Sequence, residues 1–494
     1  MKFGLDDTVI EKLTKVFEDN PKVDNAYIFG SRAKGNYRPD SDIDIAIKGY
    51  AITLDDLLKM SVAFDDAGIT NKIDLLDYNE IKEPALVEHI DRGGVEFYSR
   101  WKTIKLIDAS ESANTGLDAI KRAPIVDYDT GIKCLRIQDV SQSKQYNDWG
   151  FCKVEERNFK KFQLKRGEII IARTGATVGV NIFIEDNLNA VFNNGLIRIR
   201  VDTKKCLPKF LYYNFRTEYF KSFIESISGG TSTQPNMQIN ALLSLEIKLP
   251  PISEQTVIAN ILAGLDNKIN LLFDQNRTLE QLSETLFRQW FVEEAEESWM
   301  EGVLDDVISV KGGTTPDTTN PEFWNGYFNW TSPRDLSNNN SVFLFDTERK
   351  ITEKGLKQIG SGLLPVGTVL LSSRAPIGYL VIIEIPVAIN QGYIAIICDK
   401  LVSNYFIYLW IKKNLETIIN ASNGSVFLEI SKSIFKTLDI LIPPREKLTL
   451  FDKLVDPMFQ KIKTNIIQIQ SLTKMRDTLL PKLMSGEVRV KISE

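Results

Sequence analysis

The sequence predicts an α+β protein: a small α/β head, followed by two mostly-β domains separated by two long helices that form an antiparallel coiled coil. Three observations lead to this prediction. The first hundred of the 494 residues form a distinct acidic segment, and the remainder contains an internal repeat. Each copy of the repeat ends in a long stretch with apolar residues every three or four positions.

Composition narrows the chemistry that the chain can perform. Residues 1–100 contain 13 Lys and Arg against 20 Asp and Glu, whereas the other residues contain 47 against 45. A basic surface in the body therefore has to be local.

The single histidine, His89, makes Ser-His-Asp triads and multi-histidine metal sites hard to build, so any transfer chemistry depends on carboxylates.

Cysteine usage and hydropathy predict the compartment. The four cysteines contain no CxxC pair, so neither a zinc ribbon nor a disulfide scaffold is expected. No apolar run approaches the ~20 residues that cross a bilayer, and the N-terminal MKFGLDDTVI lacks the pattern of a signal peptide. We therefore expect a cytoplasmic protein with reduced thiols and no membrane contact.

The head contains a pattern typical of metal-dependent transfer. Residues 26–47 read AYIFGSRAKGNYRPDSDIDIAI, so that a predicted strand leads into Gly30-Ser31 and, ten residues later, into Asp42 and Asp44. Side chains two residues apart in a strand share a face. Both carboxylates can therefore bind one Mg²⁺ together with nucleotide phosphates.

A third carboxylate and two cations complete the predicted site. Asp74 in KIDLLDYN has apolar neighbours and is expected to point inward from a second strand. Three acids in a small sheet repel one another without a cation, so we expect all three to bind the metal. Gly30 allows close approach of backbone to phosphate, Ser31 can hydrogen-bond it, and Arg32 and Lys34 add positive charge. The alternative interpretation is an acidic surface turn.

The body repeats itself in three ordered blocks. KRGEIIIARTGATVG (165–179) resembles LPVGTVLLSSRAPIG (364–378), NAVFNNGLIRIRVD (189–202) resembles PVAINQGYIAIICD (386–399), and LEIKLPPISEQ (245–255) resembles LDILIPPREKL (438–448). A repeat of roughly 200 residues indicates a duplicated domain rather than a solenoid unit. Short β-type runs separated by Gly, Asn, Pro and Asp predict a mostly-β fold for each copy.

Each copy ends in a long helix that begins after a Pro-Pro pair. The seam of the first helix is predicted at Ile258, Leu262, Leu265, Ile269, Leu272, Asn276, Leu279, Ser283, Leu286 and Trp290. The seam of the second is predicted at Phe451, Val455, Met458, Ile462, Asn465, Ile469, Leu472, Arg476 and Leu479. About five heptads predict a coiled coil, in which Asn276 and Asn465 fall in different layers. The alternative is two helices packed on a globular core.

Several blocks of the body show a family resemblance. They are IKCLRIQDVS (132–141), ISGGTSTQPNM (227–237), LFRQWFV (286–292), KGGTTPDTTNPEFWNGYFNWTSPRDLS (311–337) and MRDTLLPKLMSGEV (475–488). Together with the repeated blocks, they resemble the specificity subunit of type I restriction–modification systems. The resemblance covers about residues 101–490 of the chain.

This resemblance implies two target-recognition domains separated by two spacer helices. It implies a bipartite site in double-stranded DNA, two methyltransferase subunits and ATP-driven restriction subunits as partners, and no cofactor for the body. The sequence has no GxxxxGK[ST] loop and no NPP[FY] tetrad, since Asn320-Pro321-Glu322-Phe323 lacks the second proline. We therefore expect the body to bind DNA and position other subunits in a defence system without cutting or methylating DNA.

Five residues are candidate DNA contacts. Arg173 and Thr174 in ARTG and Arg374 in SSRAPIG occupy similar places, after a strand and beside a glycine turn. Arginine can donate two hydrogen bonds to guanine or one to phosphate. Arg334 in SPRDL and Gln138, which lies at the corresponding place in the first copy, are further candidates. The alternative is that these are surface side chains without a partner.

The head has a resemblance of its own, to the minimal nucleotidyltransferase domain related to DNA polymerase β, over about residues 5–98. The matching residues are Gly30, Ser31, Asp42, Asp44 and Asp74. The resemblance implies transfer of a nucleotidyl group, often AMP from ATP, with Mg²⁺, to a hydroxyl. In toxin–antitoxin pairs of that family the acceptor is often a tyrosine of the partner toxin.

These observations predict five segments and two functional hypotheses. The segments are the head (1–100), the first recognition domain (101–250), the first spacer (251–298), the second recognition domain (299–443) and the second spacer with the tail (444–494). The first hypothesis is a DNA specificity subunit with a nucleotidyltransferase-like head. The alternative is a nucleotidyltransferase enzyme, similar to an antitoxin, that the doubled body delivers to DNA or to a partner.

Overall fold

The computed structural model describes residues 2–118, 120–228, 236–337, 341–374, 376–423 and 428–490. It divides into two units: residues 1–264 with 476–494, and residues 265–475. The first unit contains the head, the first copy up to the start of its long helix, and the end of the second long helix, and the second unit contains the remainder. Part of the block 227–237 lies outside the described residues.

The head is a four-stranded sheet with helices on both faces. Its elements are α1 (Asp7–Asp19), β1 (Val23–Ile28), α2 (Gly30–Lys34), β2 (Ile43–Gly49), α3 (Leu54–Asp66), β3 (Ile73–Asp77), α4 (Pro84–Gly93) and β4 (Val95–Ser99). The strand order is β3-β2-β1-β4, with β2 and β3 parallel and the other pairs antiparallel. Ile43, Ile45 and Ile47 alternate into a core that includes Phe17 of α1 and Phe64 of α3.

The first copy of the repeat is built mainly from two four-stranded sheets. Its elements are β5 (Lys102–Lys105), β6 (Ser110–Thr115), β7 (Ile125–Val126), β8 (Lys133–Leu135), α5 (Ile137–Ser141), β9 (Phe151–Cys152), α6 (Glu156–Phe162), β10 (Ile169–Ala172), β11 (Asn181–Phe183), β12 (Ala190–Phe192), β13 (Leu196–Val201), α7 (Pro208–Asn214), α8 (Glu218–Ser228), α9 (Ile239–Leu243), β14 (Glu246–Leu249) and α10 (Ile252–Arg288). The sheets are ordered β11-β10-β13-β6 and β12-β8-β9-β7. All four residues of β10 are buried, because both faces of this strand are covered.

The second copy repeats this plan. Its elements are β15 (Met300–Val303), α11 (Leu304–Val307), β16 (Ser309–Gly312), β17 (Trp324–Thr331), α12 (Pro333–Leu336), β18 (Phe343–Leu344), β19 (Arg349–Ile351), α13 (Glu353–Leu356), β20 (Val369–Ser372), β21 (Leu380–Ile383), β22 (Val387–Ile389), β23 (Tyr393–Ile397), α14 (Asn404–Lys413), α15 (Leu415–Asn420), α16 (Lys432–Lys436), β24 (Asp439–Ile442) and α17 (Arg445–Ser485). The sheets are ordered β16-β23-β20-β21-β18 and β19-β17-β22.

Strand pairing confirms that the sequence repeat is a repeat of structure. In the first copy β10 pairs antiparallel with β13, and β12 pairs parallel with β8. In the second copy β20 pairs antiparallel with β23, and β22 pairs parallel with β17. The mixed α+β fold class predicted from the sequence is therefore observed.

The two long helices run antiparallel within the second unit. Ile269 and Leu272 of α10 pack with Ile469 of α17, whereas Phe287 lies against Phe451, with ring centroids 6.0 Å apart. Residue numbers therefore rise along one helix as they fall along the other. Within the first unit, the start of α10 and the end of α17 share one apolar cluster.

The prediction that Asn276 and Asn465 lie in different layers is wrong. Asn465 is fully buried, and its Nδ2 donates to Asn276 Oδ1 and to Gln275 Oε1, both at 2.8 Å. The prediction aligned the two helices by the sequence repeat, and in that alignment the two asparagines do not face each other. Antiparallel pairing instead brings non-equivalent positions together, and a buried polar pair of this kind can specify register.

The predicted seam also shifts by one residue near the end of α10. Phe287 and Phe291 are buried, whereas the predicted Leu286 and Trp290 are only partly buried. In α17, Phe459 is buried, whereas the predicted seam residue Met458 is only partly buried. A straight helix drifts relative to a strict seven-residue repeat, and here the larger aromatic rings fill the space against the globular core. Among the described residues, no helix is long and apolar enough to span a membrane.

Asp139 is a buried residue in the first turn of α5 that caps this helix, and its loss should destabilise the first copy. Its Oδ2 accepts from the backbone N–H and from Nε of Arg136, each at 3.0 Å, and Lys144 Nζ lies 3.6 Å from Oδ1. We predict that Asp139→Ala lowers the free energy of unfolding by ~2 kcal/mol, because it leaves a partly buried arginine without its partner. Asp186→Ala, at an exposed loop position, should change it by less than ~0.5 kcal/mol. Denaturant unfolding followed by circular dichroism measures both, and equal midpoints would contradict the prediction.

Candidate functional site

The three predicted carboxylates of the head lie at one end of the sheet. Asp42 immediately precedes β2, Asp44 lies in β2, and Asp74 lies in β3, where it pairs with Asp44 in parallel register. Burial, followed by the charges of Asp74 and Asp42, raises the pKa of Asp44. The arrangement thus concentrates negative charge at a half-buried position, which favours a cation.

Gly30 is required by the close approach of its backbone to Asp44. Its φ is +71°, and a Cβ at this position would lie 2.2 Å from Asp44 Oδ2. The preceding Phe29 N–H donates to Asp44 O at 3.0 Å, which holds the turn against β2. A side chain at residue 30 would strain the backbone and displace the carboxylate.

Arg32 differs from the expectation of a nucleotide contact. Its guanidinium is 1% exposed, and its N–H groups donate to the carbonyl oxygens of Ser41 at 2.7 Å, Asp42 at 3.1 Å and Phe3 at 3.1 Å. Because these carbonyls occupy its donors, Arg32 supports the loop that leads into Asp42. Its charge still lowers the pKa of Asp44, although burial has the larger and opposite effect.

The other two predicted nucleotide-binding side chains lie on α2. Ser31 is half-buried and follows Gly30 at the start of this helix. Lys34 is exposed at the end of the same helix. Of the two, Ser31 is the one next in sequence to Gly30, whose backbone approaches Asp44.

The sequence analysis missed Lys72. Its Nζ lies 2.8 Å from Asp74 Oδ1 and 3.5 Å from Asp42 Oδ2, so that one ammonium bridges two of the carboxylates. These contacts raise the pKa of Lys72, with the Asp74 hydrogen bond as the largest cause. The position two residues before Asp74, immediately before β3, was the available signal.

The three carboxylates are the right type of ligand for a metal ion, but they are not arranged as a metal centre in this structure. Among the described residues, no three His, Cys, Asp or Glu side chains are gathered in metal-binding geometry. Like charges repel one another, and the Lys72 ammonium compensates two of these three carboxylates. The ammonium shows that a cation is accommodated between Asp42 and Asp74, and oxygen donors are the ligands that Mg²⁺ prefers.

The two predicted arginines of the body lie on equivalent loops. Arg173 follows β10, and its Nη2 donates to Asn236 Oδ1 at 3.0 Å. Arg374 follows β20, and its Nη1 lies 3.5 Å from Glu429 Oε2. Each arginine loop forms an isolated antiparallel bridge to the loop that contains its partner, through Thr174 in the first copy. The first arginine thus keeps its charge uncompensated by this neighbour, whereas a carboxylate pairs with the second.

Gln138 and Arg334 also occupy equivalent places. Gln138 is exposed on α5, with a carboxamide oriented so that its oxygen accepts from Arg136 Nη2 at 2.9 Å. Arg334 is exposed on α12, next to Asp335, which accepts from the Ser332 N–H at 2.9 Å. The two short helices have matching caps, and each presents a different side chain to solvent.

A turn that the sequence analysis did not single out lies beside each arginine loop. The Arg173 N–H donates to Gly195 O at 3.0 Å, and the Ser373 N–H donates to Gly392 O at 2.8 Å. The turns read NNG (193–195) and NQG (390–392), and their middle residues are exposed. The alignment of NAVFNNG with PVAINQG contained the signal, but only the fold shows that these turns adjoin the arginines.

The head and the body of the chain match two different protein families. Residues 99–281 and 296–471 match the family described as "Type I restriction modification DNA specificity domain". Residues 11–103 match the family described as "Polymerase beta, Nucleotidyltransferase".

Individual relatives extend the similarity over most of the chain. The type I restriction enzyme HindI specificity subunit of Haemophilus influenzae is 26% identical, over 79% of this chain and 100% of that protein. The MjaIX specificity subunit of Methanocaldococcus jannaschii is 37% identical over 182 residues, which cover 35% of this chain and 42% of that protein. The crystal structure of the S subunit from M. genitalium shares the fold, with a TM-score of 0.52, 18% identity, and coverage of 80% of this chain and 97% of that one.

The matched regions include both copies of the repeat with their arginine loops, and the head with its carboxylates. The chain belongs to the family of type I restriction–modification DNA specificity proteins, and it has a polymerase β-type nucleotidyltransferase domain at its N-terminus.

Proposed function

We propose that this specificity protein reads a bipartite site in double-stranded DNA, one half with each copy of the repeat. It positions two methyltransferase subunits and the restriction subunits on that site. The observation that supports the proposal is the duplicated arrangement of an arginine loop, a glycine turn and a short capped helix. A scaffold that is repeated while its exposed side chains differ suits the reading of two different half-sites.

The body supplies recognition and no chemistry in this proposal. Arg173 and Arg374 position the protein on the phosphates or on guanine, and the exposed side chains of α5 and α12 contribute polar contacts. Methyl transfer and cleavage belong to the partner subunits, and the body needs no cofactor.

Long-read methylation sequencing tests the specificity role. A strain that expresses the chain with its cognate methyltransferase should contain a bipartite N6-methyladenine motif, with two short half-sites around a fixed gap. The same strain without this chain should lack that motif, because the methyltransferase has no other source of sequence recognition. Identical methylation in both strains would contradict the proposal.

The two arginines should differ in how much they contribute to electrostatic binding. Arg173→Gln should reduce the slope of log Kobs against log [salt] by about 1, since one phosphate contact releases about one counterion. Arg374→Gln should reduce it by clearly less, because Glu429 already compensates that charge. Fluorescence anisotropy of the full chain on a duplex with its methylation motif measures the slopes.

The matched control is Arg166→Gln, which removes one charge at the opposite end of β10. It should leave the slope at the parent value. Equal slopes for the Arg173 and Arg374 variants, or a reduction by the control as large as that of Arg173→Gln, would contradict the assignment.

For the head we propose Mg²⁺-dependent transfer of a nucleotidyl group from a nucleoside triphosphate such as ATP to a hydroxyl. Bound Mg²⁺ would neutralise the phosphates and activate the attacking oxygen. Asp42, Asp44 and Asp74 supply its oxygen ligands, and Gly30 lets the backbone approach the phosphates. The Lys72 ammonium, which neutralises two of these carboxylates, is placed to pair with a phosphate oxygen once a metal replaces it.

Transfer by the head should depend on Asp42 and Asp44, at the start of β2. The double variant Asp42→Asn, Asp44→Asn should lose labelled product from radiolabelled ATP by about 100-fold or more, because two metal ligands lose their charge. Asp40→Asn, in the exposed loop just before them, is the control and should retain activity. Terbium luminescence in the absence of nucleotide should show that the parent and the Asp40→Asn control bind the metal more tightly than the double variant does.

The same experiment separates the two functional hypotheses. Transfer that depends on the carboxylates, in a strain whose methylation is unaffected by the chain, would favour an antitoxin-like enzyme that the body delivers to DNA or to a partner. No transfer, no terbium binding and an intact methylation motif would leave the head as a docking module.

A further inference from the structure

We propose that the exposed carboxamides of Asn194 and Gln391 each read an adenine through the major-groove edge of an A·T pair, one in each half-site. The inference rests on the proposed DNA-reading function of the two repeats and assigns the residue that recognises a base in each.

The two residues occupy the same position in the fold. Asn194 lies in the turn after β12, and Gln391 lies in the turn after β22. Each turn is hydrogen-bonded at its first residue to the adjacent parallel strand: the Asn193 N–H donates to Leu135 O at 3.1 Å, and the Asn390 N–H donates to Thr331 O at 3.1 Å. A conformation held this way in both copies is a property of the scaffold rather than of one loop.

Each turn is packed so that its middle side chain points to solvent. The following glycine is buried in both copies. A Cβ on Gly195 would lie 2.4 Å from Ile137 Cδ1, and a Cβ on Gly392 would lie 2.9 Å from Pro333 Cγ. The turns therefore press against the short helices α5 and α12, and the carboxamide of the preceding residue remains exposed.

The carboxamide of Gln391 is oriented before any ligand binds. Thr315 Oγ1 donates to Gln391 Oε1 at 2.7 Å, which uses one lone pair of that oxygen. The second lone pair and the two N–H groups of Nε2 then match the edge of adenine, which offers the N6 amino group as donor and N7 as acceptor. A side chain oriented in advance loses less entropy on binding.

The charges around the turns fit nucleic acid. The first turn is bonded through Gly195 to the backbone of Arg173, and the second is bonded through Gly392 to Ser373, which precedes Arg374. In the second copy, Lys432 Nζ also lies next to Gly312, three residues before Thr315. Cations position a protein on phosphates, although Glu429 compensates Arg374, and a neutral carboxamide near them can distinguish bases.

The test uses the full chain with its cognate methyltransferase and reads the methylation motif. Gln391→Ala should make one position of one half-site degenerate, with discrimination reduced about 10-fold or more, while the other half-site is unchanged. Asn194→Ala should do the same to the opposite half-site. Asn187→Ala, at the other end of β12, and Gln358→Ala, an exposed amide next to α13, are controls and should retain the full motif.

A second measurement avoids variants that fail to fold. Each adenine of the motif is replaced in turn by 7-deazaadenine, which lacks the N7 acceptor, and binding of the parent chain is measured by anisotropy. One replacement in each half-site should weaken binding about 10-fold, and the corresponding alanine variant should be insensitive to it.

Two results would overturn the inference. One is a motif that neither alanine variant changes, and the other is equal binding to every 7-deazaadenine duplex. A parent chain that directs no bipartite methylation at all would instead refute the proposed function on which the inference rests. These outcomes are distinguishable because the first two require an intact motif in the parent.

Discussion

Each copy of the repeat completes its hydrophobic core with the far end of the other copy's helix, and the rest of the fold depends on this exchange. In the first unit, Leu480 and Leu483 of α17 join Ile258 and Leu262 of α10 in one buried cluster. In the second unit, the aromatic rings of α10 at its C-terminal end enter the cluster that surrounds Phe451. Burial of these large side chains stabilises the antiparallel helix pair and each globular copy together, so neither helix is an independent spacer.

The head is attached to this framework by buried charges. Glu254, in the first turn of α10, is 1% exposed, and its Oε1 lies 3.0 Å from Arg489 Nε near the end of the chain. Its Oε2 lies 3.6 Å from Nε of Arg100, at the junction of head and body. Burial raises the pKa of Glu254, and Arg100 opposes that effect. Removing one member would leave an uncompensated buried charge, so the junction has a defined geometry. The head is grouped with the first copy of the repeat in one compact unit.

On the proposal that each copy reads one half-site, the duplicated scaffold can serve two specificities. The backbone bonds of the arginine loop and the glycine turn are the same in both copies, whereas the exposed residues differ. Arg173 faces the neutral Asn236, and Arg374 faces the carboxylate of Glu429. Changes confined to exposed positions leave the buried β10 and β20 strands untouched, so recognition can vary without a loss of stability.

The sequence by itself determined the duplicated α+β plan and the set of head carboxylates, because strand periodicity and the spacing of GSx10DxD are local properties of the chain. Only the tertiary structure decided how distant segments meet. It paired Asn276 with Asn465, buried Arg32 under carbonyl oxygens, and brought Lys72 between Asp42 and Asp74. It also placed the turns of Asn194 and Gln391 beside the arginine loops, through hydrogen bonds between segments far apart in sequence. Helix direction and sheet pairing create these contacts, and neither is encoded in the spacing of nearby residues.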